Sequence, residues 1–443
     1  MIQTFPKGGV HPAEDKFAAG SPIKTLKVPE AVVIPLSQHI GAPAEPLVKK
    51  GDTVKTGQLI AQSKGFVSAN IHSSVTGTVK KIDSEPDSSG YKRTAVVIDA
   101  VDDDWADGID TDKTLKKNIT AGADEIVRRT LDAGIVGLGG ATFPSHIKLS
   151  LPKGKKADIL IINGVECEPC LTSDHRLMLE RGDELMVGIQ LLMKALNVTR
   201  AFIGIENNKP DAIAHLSKLS ADYEGIKVRP LKIKYPQGAE KQLIKALINR
   251  EVPSGGLPVD VGTVVHNVGT AVAVYEAVQK NKPLIERVVT VTGRDMKEPS
   301  NFLVRIGTPV RTLIDAAGGL PDNTGKVVNG GPMMGKALNS LEVPVTKGTS
   351  GILLIPADKA ARKPVVNCMR CAKCITVCPM GLEPHLLMPA TEFGKWELAE
   401  EERILDCMEC GSCSYICPSG RPLLDYIRLG KSTVSKIIRS RKQ

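Results

Sequence analysis

Aromatic side chains make up only 3% of the 443 residues, so the chain has little with which to stack nucleic-acid bases, although its formal net charge is +9. No stretch approaches the roughly 20 consecutive apolar residues that cross a bilayer. The opening "MIQTFPKGGVHPAEDK" also lacks the apolar core of a secretory signal. Together these absences argue against a nucleic-acid binder, a membrane-spanning chain and a secreted one; a cytoplasmic protein with no transmembrane segment of its own is expected. Nothing suggests wholesale disorder either, since 42% hydrophobic and 24% charged residues is ordinary globular composition, and the length allows roughly three domains.

Cysteine, by contrast, is concentrated. Eight of the ten cysteines fall in "CMRCAKCITVCP", from Cys368, and "CMECGSCSYICP", from Cys407. Each copy reads C-x-x-C-x-x-C-x-x-x-C-P, the run that wraps a cubane iron–sulfur cluster in bacterial-type ferredoxins. Zinc is the rival, but it favours paired C-x-x-C half-sites, whereas here three thiolates share one tight loop and the fourth follows with a proline behind it. A disulfide framework is the bland alternative, and a chain of this length needs no such staples. In two-cluster domains the fourth cysteine crosses over. One [4Fe–4S] cluster is therefore assigned to Cys368, Cys371, Cys374 and Cys417, and the other to Cys407, Cys410, Cys413 and Cys378. Oxygen-sensitive clusters also fit a reducing compartment.

Residues 1–30 are rich in Pro, Gly and Lys without periodicity and read as an extended arm. Residues 31–100 carry short β-branched runs broken by Gly-Asp and Thr-Gly turns, the pattern of a small all-β unit. From 120 to 280 helical and buried-strand periods alternate, as in "ADEIVRRTLDAGI", "ADILIINGV", "ELMVGIQLLMKAL" and "RAFIGIE". That alternation implies an α/β domain with a largely parallel sheet and ligands at the strand C-terminal ends. A compact α+β unit is expected at 285–356 and the cluster domain at 360–430. Residues 431–443 form a basic tail. From Arg421 onward seven Lys or Arg, including Lys442, face one acid, Asp425, which reads as a solvated, frayed end or as a contact for an acidic partner or anionic lipid.

Within the α/β region, "GIVGLGGATFP" places Gly137, Gly139 and Gly140 where backbone N–H groups could approach a phosphate, with Lys148 just beyond. It matches neither G-x-G-x-x-G nor the Walker A pattern, so by itself it is equally an ordinary turn. The strand ending "NGVECEP" presents Asn163, Glu166 and Glu168 at an expected ligand edge. Cys167 and Cys170 form a C-x-x-C that, even with Asp174 or His175, reads more readily as spare thiols than as zinc or a redox disulfide. Tyr235, Gly238 and Glu240 in "YPQGAE", and His266 and Asn267 in "VVHNVGT", recur at loop positions but are bland alone.

Taken together, "GGVHPAEDK", "GLGGATFPSHIKL", "NGVECEP", "LTSDHRLM" and the doubled cysteine run resemble the RnfC (RsxC) family along essentially the whole chain. Its members are peripheral components of ion-translocating ferredoxin:NAD oxidoreductase (Rnf) complexes. "VKKGDTVKTGQLIA" and "IHSSVTGTVKKI" are similar to the two halves of the biotinyl/lipoyl barrel-sandwich, with no carrier lysine in "SSVTG". The α/β segment is similar to the flavin- and NADH-binding component of respiratory complex I, and 285–356 to the soluble-ligand-binding β-grasp (SLBB) domain. The complex I resemblance implies an FMN-phosphate loop at Gly137, Gly139, Gly140 and Lys148. It also implies flavin contacts at Asn163, Glu166, Tyr235, Gly238, Glu240, His266 and Asn267, and a carboxylate near the nicotinamide nucleotide at Glu168. Thr142 stands where that family has glycine, and His266 where it has asparagine.

The implied chemistry needs a converter between hydride and single electrons, so FMN, NAD(H) and two [4Fe–4S] clusters are expected, with no side chain acting as acid or base. The family resemblance further implies a peripheral place on the cytoplasmic face of the membrane, among the other Rnf subunits. The alternatives are a microcompartment cobalamin reductase and a pure electron relay without a nucleotide site.

Overall fold

The computed structural model describes residues 2–441; Lys442 of the expected tail lies outside the described residues. Alternation dictates the first unit. In Ala31–Pro35, Val32 and Ile34 turn inward while Ala31 and Val33 are only half-buried. This strand pairs antiparallel with Lys92–Asp102, which pairs with Thr76–Pro86, which pairs with Thr53–Val54. A second sheet of Glu45–Pro46, Leu59–Gln62 and Ile71–His72 faces it. Val32, Ile34, Ile60, Ile71, Val96 and Ile98 fill the space between them. Ser73 and Ser74 at the "SSVTG" turn are buried, and Ser74 Oγ donates to Ile306 O, so this tip docks against the rest of the protein.

The α/β sheet has the order Ile226–Leu231, Ala201–Glu206, Ile159–Asn163, Thr263–Asn267, and every pairing is parallel. The run "ILII" is buried on both faces, as parallel strands between helices require. After Asn163 the chain builds outward to one side through Ala201–Glu206; Thr263–Asn267 then inserts on the other side, with Asn267 in register with Asn163. That pair of strand ends is a topological switch point, where open α/β sheets form their ligand crevice.

The third unit is a six-stranded sheet ordered Ile23–Thr25, Ser300–Arg305, Glu286–Gly293, Gly351–Pro356, Thr324–Asn329, Lys336–Ala337, with the helix Val310–Ala316 packed into its core. Its first strand corrects the expectation of an arm without strands: Ile23–Thr25 pairs parallel with Asn301–Leu303. Three residues carry no readable period, and it is the sheet edge that supplies the partner.

The last unit is helical. Lys373–Thr376 and Ser412–Ile416 lie side by side behind the two cysteine loops, and Pro384–Glu392 and Trp396–Glu401 pack on the long helix Leu423–Ser440. That helix runs through the expected boundary at 430/431. Leu423, Ile427, Gly430 and Val434 recur on one buried face, so the basic residues to Arg439 belong to an amphipathic helix and not to a frayed end. At Gly430 a Cβ would collide with Thr391 Oγ1, which accounts for the glycine in mid-helix.

Candidate functional site

The glycine-rich loop follows the helix Ala123–Asp132 and folds back on itself: Gly137 N donates to Phe143 O at 2.8 Å, and Val136 bridges to Pro144. Leu138 N donates to Thr270 Oγ1 at 2.9 Å, tying the loop to the first turn of the helix Val268–Lys280. Gly139 sits where a Cβ would press on Asn267 Cβ at 3.4 Å, whereas Gly140, with φ +114°, has open space around it. Thr142 adopts φ +52°, so the threonine keeps the left-handed backbone that a glycine takes without strain.

Asn267 caps that helix: its Oδ1 accepts from Gly269 N at 2.8 Å, and its Nδ2 donates to Asp174 Oδ2 at 2.6 Å. Asp174 is buried, and burial, reinforced by the neighbouring Glu166 charge, pushes its carboxyl up to about 7. Lys148 Nζ donates to Glu240 Oε2 at 2.7 Å and to Val265 O at 3.0 Å. His266 beside it is wholly buried; burial and then the Lys148 charge lower it to about 3, so it is neutral at pH 7, and its Nε2 has no partner.

Across the switch point, Asn163 Oδ1 accepts from Val165 N at 3.1 Å and Nδ2 donates to Gly238 O at 2.8 Å. Glu166, with φ +46°, turns its carboxylate onto the start of the helix Ser173–Glu180, accepting from Ser173 Oγ, Asp174 N and His175 N. A carboxylate there satisfies the orphan amides and complements the helix dipole. Gly137, Gly139, Gly140, Lys148, Asn163, Glu166, Gly238, Glu240, His266 and Asn267 thus gather around one crevice. Glu168 and Tyr235 lie toward its far side. Glu168 Oε1 accepts from Met333 N at 2.6 Å and Met334 N at 3.0 Å, and burial raises its pKa. Tyr235 is buried and donates through its hydroxyl to Cys410 O at 2.7 Å.

The residues suit a flavin phosphate on three counts: an open glycine in a left-handed turn, a capped helix N-terminus behind it, and a lysine beside an unpartnered buried ring nitrogen. Cys167 and Cys170 do not form a metal site. Burial raises both thiols, Cys170 to about 12, Cys167 accepts from Gly238 N, and the neighbouring Asp174 and His175 are engaged with Asn267 and Asp211.

The two C-terminal loops meet as ligand sets. Cys378 from the first run lines one small cavity with Cys407, Cys410 and Cys413 from the second, walled by Leu382, Leu387, Leu424 and Ile427. Cys374 and Cys417 are likewise neighbours, the Cys417 charge helping to raise the Cys374 thiol, while Cys368 and Cys371 are exposed. Among the described residues no three Cys, His, Asp or Glu side chains converge as one ion requires. A cubane spreads its four thiolates more widely than zinc, whose Zn–S bonds are about 2.3 Å. The donor set therefore fits the larger group.

Four family models match in chain order: the RnfC barrel sandwich hybrid domain at residues 3–103, the Nuo51 FMN-binding domain at 131–276, the SLBB domain at 288–337 and the 4Fe-4S dicluster domain at 361–418. The RnfC protein of the proton-translocating ferredoxin:NAD+ oxidoreductase complex of Clostridium ljungdahlii is 49% identical over 437 residues, 98% of this chain and 94% of that protein. Its counterpart in the Na+-translocating complex of Acetobacterium woodii is 46% identical over 433 residues, 97% and 96% of the two chains. This chain belongs to the RnfC family. A third relative, from the ion-translocating oxidoreductase complex of Rhodobacter capsulatus, is 42% identical over 441 residues, 98% of this chain and 84% of its own length.

A chain of an NAD+-reducing [NiFe]-hydrogenase in the air-oxidised state superposes with TM-score 0.51 at 21% identity, over 70% of this chain and 63% of that one, which shows the shared fold. This RnfC-family chain therefore combines an FMN-binding domain and a 4Fe-4S domain, the architecture its motifs imply. Among the described residues no helix is long and apolar enough to cross a membrane.

Sequence reasoning misses three members of the site. Lys16 donates to the carbonyls of Glu166, Glu168 and Leu171, so the N-terminal "GGVHPAEDK" fixes the carboxylate loop. A lysine inside that motif is a usable signal. Arg287, buried on the SLBB sheet, donates to Leu138 O in the glycine loop, and no local pattern announces it. Asp174 reads from the sequence only as a metal partner, because its contact with Asn267 spans 93 residues.

Proposed function

We propose that this chain is the peripheral, NAD(H)-reactive subunit of a membrane-bound Rnf complex. It moves electrons between NAD(H) and a one-electron partner on the cytoplasmic face, while the membrane subunits link the transfer to Na+ or H+ translocation. The observation that carries the reading is the direct link between the two halves: Tyr235, at the edge of the flavin-type crevice, donates to the backbone of Cys410, a cysteine of the buried sulfur site. When bound, FMN would supply the conversion between hydride and single electrons, and two [4Fe–4S] clusters would supply the one-electron path.

The chain's own residues bind and orient. Gly137, Gly139 and Gly140 present backbone amides to the FMN phosphate and Lys148 neutralises it, with Asn267 and His266 closing the same end. Asn163, Glu166, Gly238 and Glu240 shape the ring side, and Glu168 and Tyr235 the nucleotide side. Cys368, Cys371, Cys374 and Cys417 hold the exposed cluster; Cys378, Cys407, Cys410 and Cys413 hold the buried one. No side chain needs to donate or accept a proton in the transfer. The family membership does not favour the corrinoid-reductase alternative.

The test is anaerobic purification, flavin and iron assay, and NADH titration followed at the flavin and cluster absorbance bands. About one FMN and about eight iron per chain, both bleached by NADH, are expected. Lys148→Met should lower flavin occupancy roughly tenfold or more while leaving iron unchanged. Clusters without flavin, or flavin that NADH does not reduce, would overturn the dehydrogenase role and leave a relay.

A further inference from the structure

The segment that carries the first cysteine loop is unlike its surroundings. Residues 361–373 are exposed without interruption, and Val365, Val366 and Met369 each show more than half of their surface. Lys359, Arg362, Lys363, Arg370 and Lys373 fall between Lys359 and Leu382, a span without a single Asp or Glu. Arg362 pairs with Asp425, whereas Lys363, Arg370 and Lys373 form no ion pair among the described residues. The segment is held in place: Val366 N donates to Ser419 O, and the Lys363 side chain lies against Gly420, close in sequence to Cys417. Uncompensated cations and exposed aliphatic side chains are therefore fixed around the ligand set Cys368, Cys371, Cys374 and Cys417.

We infer that this face is the docking surface for an acidic one-electron carrier protein, whose own redox centre is brought against the exposed cysteine loop. The inference rests on the cluster assignment proposed above and adds the partner's chemistry. Charge decides the occupant. A basic rim with no acids recruits an acidic surface and orients it in the encounter, and the three apolar side chains supply the small dry contact typical of transient redox pairs. Anionic lipid would meet the same cations, but nothing in a lipid surface makes use of two ligand cysteines placed at the centre of the patch.

The experiment uses the full chain with its clusters intact and an acidic two-[4Fe–4S] ferredoxin as probe. Reduction of the chain's clusters by the reduced ferredoxin is followed by stopped flow from low to high salt; no NADH is involved, so a failure of the dehydrogenase reading leaves the outcome interpretable. In the Lys363→Glu/Lys373→Glu double variant the second-order rate should fall about tenfold at low salt and lose most of its salt dependence. Iron content and reduction by dithionite should be unchanged. Val365→Ser/Val366→Ser should slow transfer a few-fold with the salt dependence retained, which guards against a charge variant that merely disturbs the loop. Equal rates for wild type and the charge variant would overturn the proposal. So would loss of binding to anionic phospholipid vesicles with ferredoxin transfer intact.

Discussion

The two cysteine runs share one twelve-residue pattern and differ in almost everything that surrounds it. The first lies in a basic, exposed stretch, with Cys368 and Cys371 open to solvent. In the second, Cys410 and Cys413 are each 8% exposed, walled by leucines, backed by Tyr235 and followed by a helix whose Arg428 and Lys431 hold Glu409. Local spacing decides which metal group can bind, since it sets where thiolates fall. The fold decides what each site is for: a shielded centre next to the crevice, and an open one at the surface. The hydrophobic shell and hydrogen bonds around a cluster tune it as much as the ligands do.

The largest expected effect breaks the symmetry of the pair outright. Cys413→Ser and Cys371→Ser should each lose about half the iron, because each removes one ligand of one cubane. Only the Cys413 change should also unsettle the fold, by roughly 3 kcal/mol or more, since its site is packed into a buried core with Leu387, Ile404 and Ile427. Melting curves of both variants check this. Equal losses of stability would mean that the buried and open sites differ less than their surroundings suggest.

A smaller effect isolates the contact that sets the second loop apart. Tyr235→Phe removes the hydroxyl that donates to Cys410 O and leaves the ring in place. The loss should be about 1 kcal/mol of stability, the usual net worth of such a bond. It should also alter the electron paramagnetic resonance signal of one reduced cluster and not the other. A change in both signals, or in neither, would dissolve the link between crevice and buried cluster.

How much of this can be read from the residues follows from the same contrast. The cysteine spacing, the parallel strand periods and the glycine loop are local signals, and the fold places them where the motifs imply. The switch-point pairing of Asn163 with Asn267 is implied only by resemblance, because 104 residues separate the two. Lys16, Arg287 and Asp174 act across domains or on a distant cap, where neither periodicity nor spacing carries information. The edge strand Ile23–Thr25 and the helical end of the chain fall in the same class: each owes its structure to a partner elsewhere, a sheet edge for one and a packed helix face for the other.

The smallest effect concerns Glu168, which anchors Met333 and Met334; the backbone of Met333 in turn closes on Gly411, within the second loop. No carboxylate plays this part for the first loop among the described residues, so only the second should respond to a buried acid. Burial raises the Glu168 pKa, and the folded protein keeps this proton at pH values where the unfolded chain, with an ordinary carboxyl near about 4.3, has released it. Above that pH the folded state binds more protons than the unfolded state at this position, so the Glu168 contribution to stability falls as pH rises toward the folded pKa. Glu168→Gln keeps the shape and a carbonyl acceptor but does not titrate. Urea midpoints of wild type and variant at pH 5 and pH 8 should therefore diverge in the variant's favour as pH rises, while Asp174, Glu206 and His266 titrate in both proteins and cancel in the difference. A gap that stays constant or closes with pH would show that Glu168 is ionised in the fold at little expense, and that the second loop is held by its apolar walls alone.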